Sequence, residues 1–368
     1  MTNDIRNACK KAAEKIKSYP KYTKVRVVSH YDADGITSAA IICKTLYRAG
    51  YNFHATLMRN PFDKGLDRVS KENNEIVIYS DMGSGQIETI EEMKNDSIIL
   101  DHHQPHKKET NDNVIQINCN HFGINGNYEA CGATISYLFS KAFDKKNTDL
   151  LALSITGMTG DKQYIGKFKG LNKEIISEAI KNDIIEEKTS IKLSSETIFD
   201  SLYYSIDPYY SGISGNKEKI TEILDNFNID KDKKVNDLNS DELKKIHSYL
   251  MLILIKKGYD ELDLLKQKKL QSYLMLILIK KGCEKNILDT VIRKRYYTKI
   301  FNLESERFAD LLDSCGKGGN RGIGLSLALG DMESYKEAVE IEKEFKEKVL
   351  SELLRLERET FKETKIFR

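Results

Sequence analysis

The sequence predicts an α/β fold built on a parallel sheet, and two observations support this. Short runs rich in apolar and β-branched residues recur at 24–28, 75–80 and 97–100. Each run is followed by a polar or glycine-containing loop, and the first loop leads into a helical pattern at 37–49. Strands alternating with helices are typical of βαβ units. The 368 residues suffice for two or three domains with cores of their own.

The composition argues against disulfides and membrane spans, and it does not indicate a particular binding partner. The 58 basic and 56 acidic residues give a net charge of +2, so bulk charge does not indicate a nucleic-acid binder. The six cysteines lack CxxC spacing and the N-terminus carries no apolar leader, which favours a reducing, cytoplasmic setting without disulfides. The longest apolar runs, 250–255 and 274–279, fall short of the roughly 20 residues that span a bilayer.

The first predicted strand is preceded by an amphipathic helix at 3–18 and is followed by three alternating polar residues, His30, Asp32 and Asp34. In extended backbone, alternate side chains point to the same side, so these three could converge on one or two cations. Alternatively, the loop is simply solvated and Asp34 offsets the dipole of the helix that follows. Taken alone, the loop leaves both interpretations open.

Three later segments have the same form. Asp81 follows the run 75–80, and the stretch 101–103 follows 97–100 and reads Asp-His-His. Asp161 follows the apolar helical stretch 150–155 and two glycines. Four such segments together predict a metal site. Oxygen and imidazole ligands without thiolate suit Mn²⁺ or Mg²⁺, and a pair of ions suits phosphoryl displacement.

At these four segments the chain closely resembles the DHH phosphoesterase superfamily, in motifs at 29–35, 80–81, 101–103 and 157–161. The resemblance implies a parallel sheet with helices on both faces and a site with two ions, Mn²⁺ or Mg²⁺. By that match, one ion is held by His30 and Asp32, the other by Asp34, His102 and Asp161, and Asp81 bridges both. The resemblance also implies that His103 faces the scissile phosphate.

Asp101 has two possible roles at such a site. It could be a metal ligand, or it could orient an imidazole by accepting that ring's other N–H. We favour a ligand or near-ligand role and count Asp101 with His103 among the catalytic residues.

Substrate contacts are predicted at three places. The Gly/Asn-rich loop at 119–131 leads into a helix whose first N–H groups, at Gly132, Ala133 and Thr134, could hold a phosphate, although ordinary loop and cap chemistry explains them equally well. The segment 202–215 is similar to archaeal RecJ-like nucleases, as is the glycine-rich turn within 311–324. In the first of these segments, Tyr209 and Tyr210 could stack on bases, or they could pack internally. In the second, Lys317 and Arg321 could contact phosphates.

Three domains are expected. Residues 1–185 form the catalytic domain, 186–300 a helical insert, and 301–368 a partial C-terminal α/β domain that ends in a long helix. The insert contains an identical repeat, 248–258 and 272–282, with a period of 24 residues. Two copies are too few for a solenoid. The family's Gly-Gly-Gly-His turn does not follow the last helix, so we expect a fragment or a short form.

The resemblance implies a divalent-metal-dependent phosphodiesterase, in particular a RecJ-like exonuclease on single-stranded DNA or RNA in DNA repair or replication. In that mechanism a metal-bound hydroxide attacks phosphorus in line. A second hypothesis keeps the site but assigns a smaller substrate, namely short oligonucleotides, cyclic dinucleotides or pyrophosphate. A third is a scaffold of a replication complex that binds GINS and the replicative helicase. No membrane partner is expected.

Overall fold

Five parallel strands form the main sheet, and they lie in the order β2-β1-β3-β4-β5. The computed structural model describes residues 2–59, 65–165, 167–256 and 292–358. The strands of this sheet are β1 (Lys24–His30), β2 (Asn52–Met58), β3 (Ile76–Ser80), β4 (Asp96–Asp101) and β5 (Val114–Asn118). The parallel sheet predicted from the apolar runs is therefore confirmed.

Helices cover both faces of the sheet. On one face lie α1 (Thr2–Lys17), α2 (Ala33–Arg48), α5 (Gly132–Phe143) and α6 (Leu151–Gly160), whose apolar side chains form the largest buried cluster. On the other face, α3 (Gly65–Ser70) and α4 (Ile87–Glu91) pack over Val28, Val77 and Ile99. Since both faces are covered, β3 is buried along its whole length. The predicted α/β class with helices on both faces is confirmed.

The chain divides into two compact units, the first comprising residues 1–188 and 295–342. Besides the sheet and its helices, this unit contains α7 (Gly170–Lys181), α11 (Ser305–Lys317) and α12 (Arg321–Leu329), and α11 packs against α6 and α2. A small sheet has the order β6-β7-β8 and consists of β6 (Ile185–Ile191), β7 (Ile292–Thr298) and β8 (Leu303–Glu304). Residues 301–342 thus cluster with residues 1–188, although the sequence assigned them to a separate domain.

The second unit comprises residues 189–294 and 343–368. Its described helices are α8 (Ile198–Tyr203), α9 (Lys217–Phe227) and α10 (Ser240–Lys256), and α13 (Ser334–Arg358) contributes its later residues. An apolar cluster that includes Ile198, Leu224 and Leu250 holds these helices together. The second copy of the 24-residue repeat lies outside the described residues. Among the described helices, none is both long and apolar enough to cross a membrane.

Candidate metal centre

The candidate site lies at the carboxyl ends of neighbouring strands. His30 ends β1, Asp81 follows β3, and Asp101 ends β4. From β1 the chain passes to β2 on one side, whereas β3, β4 and β5 lie on the other side. In open α/β sheets, such a reversal of strand order leaves a crevice where ligands bind. The topology therefore places His30 and Asp81 at the position where this fold class builds its sites.

The first group of ligand atoms comes from His30, Asp32 and Asp81. His30 Nδ1 lies 2.8 Å from Asp32 Oδ2 and 3.7 Å from Asp81 Oδ2. Asp32 is held in place because it is also the N-cap of α2, where its Oδ1 accepts a hydrogen bond from the backbone N–H of Gly35. The three ligand atoms lie within 4.8 Å of one another, close enough to share one cation.

The second group comprises Asp34, His102 and Asp161, whose ligand atoms also lie within 4.8 Å of one another. His102 Nε2 is 3.6 Å from Asp34 Oδ2, 3.4 Å from Asp161 Oδ2 and 3.1 Å from Asp81 Oδ1. One oxygen of Asp81 therefore faces the first group and the other faces the second. The structure brings together all six side chains that the sequence proposed as ligands.

The chemistry of this cluster fits a bound cation. His102 Nδ1 lies 2.7 Å from the Gly126 carbonyl oxygen, which can only accept, so Nδ1 carries a proton and Nε2 is the nitrogen that faces the carboxylates. Asp81 Oδ1 is buried and accepts no hydrogen bond from the described residues. His102 Nε2 and Asp81 Oδ1 lie 3.1 Å apart, and both atoms can ligate a cation. Oxygen and imidazole donors match Mn²⁺ or Mg²⁺.

The electrostatics lead to the same conclusion. Burial raises the pKa of Asp81 well above its ordinary value, and the charges of Asp34 and Asp32 raise it further. Burial and the same two neighbours also raise the pKa of Asp161. A carboxylate cluster with raised pKa values costs free energy when it is ionised, and a divalent cation offsets that cost.

Asp34 is fixed by the start of α5. Its Oδ2 accepts the N–H of Gly132 at 2.6 Å, and its Oδ1 accepts the N–H of Ala133 at 2.8 Å. The hydroxyl of Thr134 accepts the N–H of Cys131. The N–H groups of Gly132 and Ala133 are thus committed to a carboxylate of the protein, which differs from the phosphate-binding role expected from the sequence. A helix N-terminus favours any anion, and here that anion is a side chain.

Asp101 orients His103 and belongs to neither ligand group. Its Oδ1 accepts from His103 Nδ1 at 2.8 Å, and its Oδ2 accepts the N–H of Ser84 at 2.9 Å. The hydrogen bond to Asp101 raises the pKa of His103, although burial opposes this shift. Both Asp101 oxygens accept hydrogen bonds from N–H groups, which supports the orienting role. His103 itself is 55% exposed.

Helix α11 contributes a residue that the sequence did not suggest. Asp313 Oδ1 accepts the N–H of Ala33, the first residue of α2, at 2.7 Å. Lys317 Nζ lies 2.7 Å from Asp313 Oδ2, and Asp32 helps to raise the pKa of Lys317. The Arg321 guanidinium lies 5.8 Å from the centre of the Tyr31 ring. Both predicted cations therefore lie beside the loop that carries the ligands, but no sequence pattern pointed to Asp313.

The two tyrosines predicted to stack on bases belong to the second unit. Tyr210 is 1% exposed and packs in that unit's apolar cluster with Ile213 and Leu224. Stacking on a base requires an open ring face. The stacking role predicted for Tyr210 is therefore wrong, and internal packing, the alternative interpretation, applies. Tyr209 is half-buried and pairs across a turn with Ile206.

Two family models match parts of the chain. Residues 24–158 match the model of the DHH family, N-terminal domain, and residues 104–261 match the model of archaeal Cdc45. Over residues 24–158 the chain is therefore similar to the DHH family, as the motifs at 29–35, 80–81 and 101–103 predicted.

One curated relative and two solved structures are similar to this chain over most of its length. The chain is 29% identical over 362 residues to the uncharacterized protein MJ0831 of Methanocaldococcus jannaschii, covering 95% of this chain and 74% of that protein. The crystal structure of Cdc45 from Entamoeba histolytica is similar in fold, with a TM-score of 0.59 and 15% identity over 95% of this chain and 71% of that chain. The crystal structure of exonuclease RecJ bound to manganese gives a TM-score of 0.49 at 14% identity. That match covers 94% of this chain and 66% of the RecJ chain, which is just under two thirds of it.

Proposed function

We propose that this protein is a phosphodiesterase that uses two divalent cations, Mn²⁺ or Mg²⁺, to hydrolyse single-stranded DNA or RNA. One observation carries the proposal: the buried carboxylate of Asp81 presents one oxygen to each of two ligand groups. Carboxylates arranged in this way can share two ions. When bound, the ions would supply Lewis-acid charge and a water of lowered pKa for attack on phosphorus.

The protein's own groups would then position the phosphate. The Asp101 hydrogen bond holds the His103 ring at Nδ1, so the ring's Nε2 edge is left for the substrate. Because Asp101 favours the protonated ring, Nε2 would carry a hydrogen that can be donated to a phosphate oxygen. Asp32 and Asp34 are held by backbone N–H groups, which keeps their geometry ready before substrate binds.

A polymeric substrate is supported by the cations of the C-terminal segment. Lys317 and Arg321 lie beside the ligand-bearing loop, where they could contact phosphates that flank the scissile bond. A substrate with one phosphodiester bond would use fewer of these contacts. Turnover of a long single strand should therefore exceed that of a dinucleotide, and the reverse order would indicate a short-oligonucleotide or cyclic-dinucleotide enzyme.

The test is a titration of hydrolysis against Mn²⁺ and Mg²⁺, with end-labelled single strands of DNA and RNA in each polarity. We expect Asp81→Asn and His103→Ala to lower turnover by at least about 100-fold. His106→Ala is the matched control because His106 is similarly exposed, at 61%, and belongs to neither ligand group. Metal-dependent turnover that survives Asp81→Asn would contradict the proposal.

A second candidate function is a scaffold of a replication complex. The match of residues 104–261 to archaeal Cdc45 favours it, whereas the six assembled ligand side chains favour an enzyme. Binding to a GINS complex without Mn²⁺ binding or turnover would support the scaffold. Turnover without GINS binding would support the hydrolase alone.

A further inference from the structure

We propose that Gln163, with Asn172 and Thr134, forms a buried amide relay that positions the ligands His102 and Asp34. The inference rests on the proposed metal centre and adds three positioning residues to it. Gln163 is 2% exposed, and Asn172 and Thr134 are fully buried. None of the three belongs to a ligand group.

The relay begins at two backbone carbonyls. Gln163 Nε2 lies 2.9 Å from the Gly126 oxygen and 3.1 Å from the Ala130 oxygen. Carbonyl oxygens only accept, so Gln163 must turn its NH₂ towards them and its own oxygen away. That oxygen then accepts a hydrogen bond from the NH₂ of Asn172. The orientation of both amides is thereby fixed by the backbone.

The relay continues to the start of α5. With its NH₂ used by Gln163, Asn172 presents Oδ1 to the Thr134 hydroxyl, 2.6 Å away. The hydroxyl therefore donates to Asn172, and it accepts the N–H of Cys131 at 3.2 Å. This contact closes the first turn of α5, whose next two N–H groups bind Asp34. One end of the relay thus fixes the donors that hold Asp34.

The other end controls His102. The Gly126 oxygen accepts from both Gln163 Nε2 and His102 Nδ1, so Gln163 holds in place the carbonyl that keeps the proton on Nδ1. If the Gly126 carbonyl moved, the His102 ring would lose the acceptor that directs its Nε2 towards Asp34, Asp81 and Asp161. Partners that orient ligands in this way typically change metal affinity about 10- to 100-fold when they are removed.

The primary test compares Gln163→Met with Asn147→Leu. Methionine keeps the length of glutamine without its donor or acceptor. Asn147 is the matched control: it is a buried amide that donates to the Ser140 oxygen and accepts from Arg48, and it contacts none of the six ligand side chains. Calorimetry with Mn²⁺ alone should show about 10- to 100-fold weaker binding for Gln163→Met and unchanged binding for Asn147→Leu.

A second measurement separates this inference from the proposed function. In metal-free protein with ¹⁵N-labelled histidine, the hydrogen on His102 Nδ1 should exchange slowly with solvent because it is bonded to the Gly126 oxygen, and Gln163→Met should make that exchange faster. If the wild type bound no Mn²⁺, the metal centre would fail and the exchange rate would still decide the relay. If Gln163→Met did not fold, Thr134→Val would replace it, with several-fold weaker binding expected. A variant that lowers Tm but keeps wild-type affinity and wild-type exchange would overturn the inference.

Discussion

Gly157 lies against the carboxylate of Asp34 so closely that no side chain fits between them. A β-carbon built at Gly157 would come within 2.6 Å of Asp34 Oδ1 and within 2.5 Å of the Ala133 β-carbon. Contacts this short force a movement of α6 away from α5 or of Asp34 out of the ligand group. The absence of a side chain at Gly157 therefore makes room for Asp34.

Gly157→Ala should therefore weaken Mn²⁺ binding by about 10-fold or more and destabilise the fold by about 1–3 kcal/mol. Gly322→Ala is the control because a β-carbon at Gly322 meets nothing within 4 Å. Calorimetry and thermal unfolding measure the two effects. Wild-type Mn²⁺ affinity in Gly157→Ala would contradict the close packing of Asp34.

Asp81→Asn should stabilise the metal-free protein and should abolish the rise in Tm that metal gives the wild type. Burial and neighbouring carboxylates disfavour a charged Asp81, so removing that charge should raise the free energy of unfolding by an amount on the order of 1 kcal/mol. A cation that binds only the folded state raises Tm, and the variant should lose this shift. Thermal unfolding with and without Mn²⁺ provides the measurement, and the exposed Asp112→Asn is the control. A lower Tm in metal-free Asp81→Asn would refute the repulsion argument.

Lys317→Gln should weaken substrate binding more than it slows chemistry. The charge of Lys317 is stabilised by Asp313 and Asp32, although burial opposes it. If Lys317 contacts a backbone phosphate, its loss should raise KM several-fold and reduce the salt dependence of binding to single strands by about 0.7 in log–log slope. The exposed Lys11→Gln on α1 is the control. An unchanged salt dependence would remove Lys317 from the substrate site.

His247 should make the stability of the second unit depend on pH. Burial lowers the pKa of this histidine to about 4. In the unfolded chain the pKa of a histidine is near 6.5. Between pH 6.5 and pH 4 the unfolded chain therefore binds a proton that the folded chain does not, so the free energy of unfolding should fall as the pH drops through this range. We expect a loss of about 2 kcal/mol between pH 7 and pH 5. Urea unfolding of wild type and His247→Leu at both pH values tests this, since the variant should lack that part of the change.

Much of the fold and most of the metal centre could be predicted from the sequence because their signals are local. An apolar run that ends in Asp or His marks both a strand and its carboxyl end, and in a parallel sheet those ends meet at one edge. Three such segments, with the Asp that follows the apolar helix α6 and the family resemblance, were enough to predict the ligands His30, Asp32, Asp34, Asp81, His102 and Asp161.

The remaining features depend on contacts between distant segments. The N–H groups of Gly132 and Ala133 have the same local pattern whether they bind a substrate phosphate or Asp34, which precedes them by about 100 residues. Tyr210 lies in a Pro/Gly-containing turn, and only the packing of the second unit shows that its ring is covered. Gln163 and Asp313 are single polar residues without a repeating pattern, so only their partners reveal what they do.

The hydrogen bond from the Ala33 N–H to Asp313 also bears on how the protein is made. These residues are 280 positions apart. A ribosome therefore adds 280 residues after Ala33 before the acceptor at the beginning of α2 exists. During synthesis the loop with Asp32 and Asp34 must wait for that late segment, and a nascent chain released before α11 would leave the Ala33 N–H without its Asp313 acceptor.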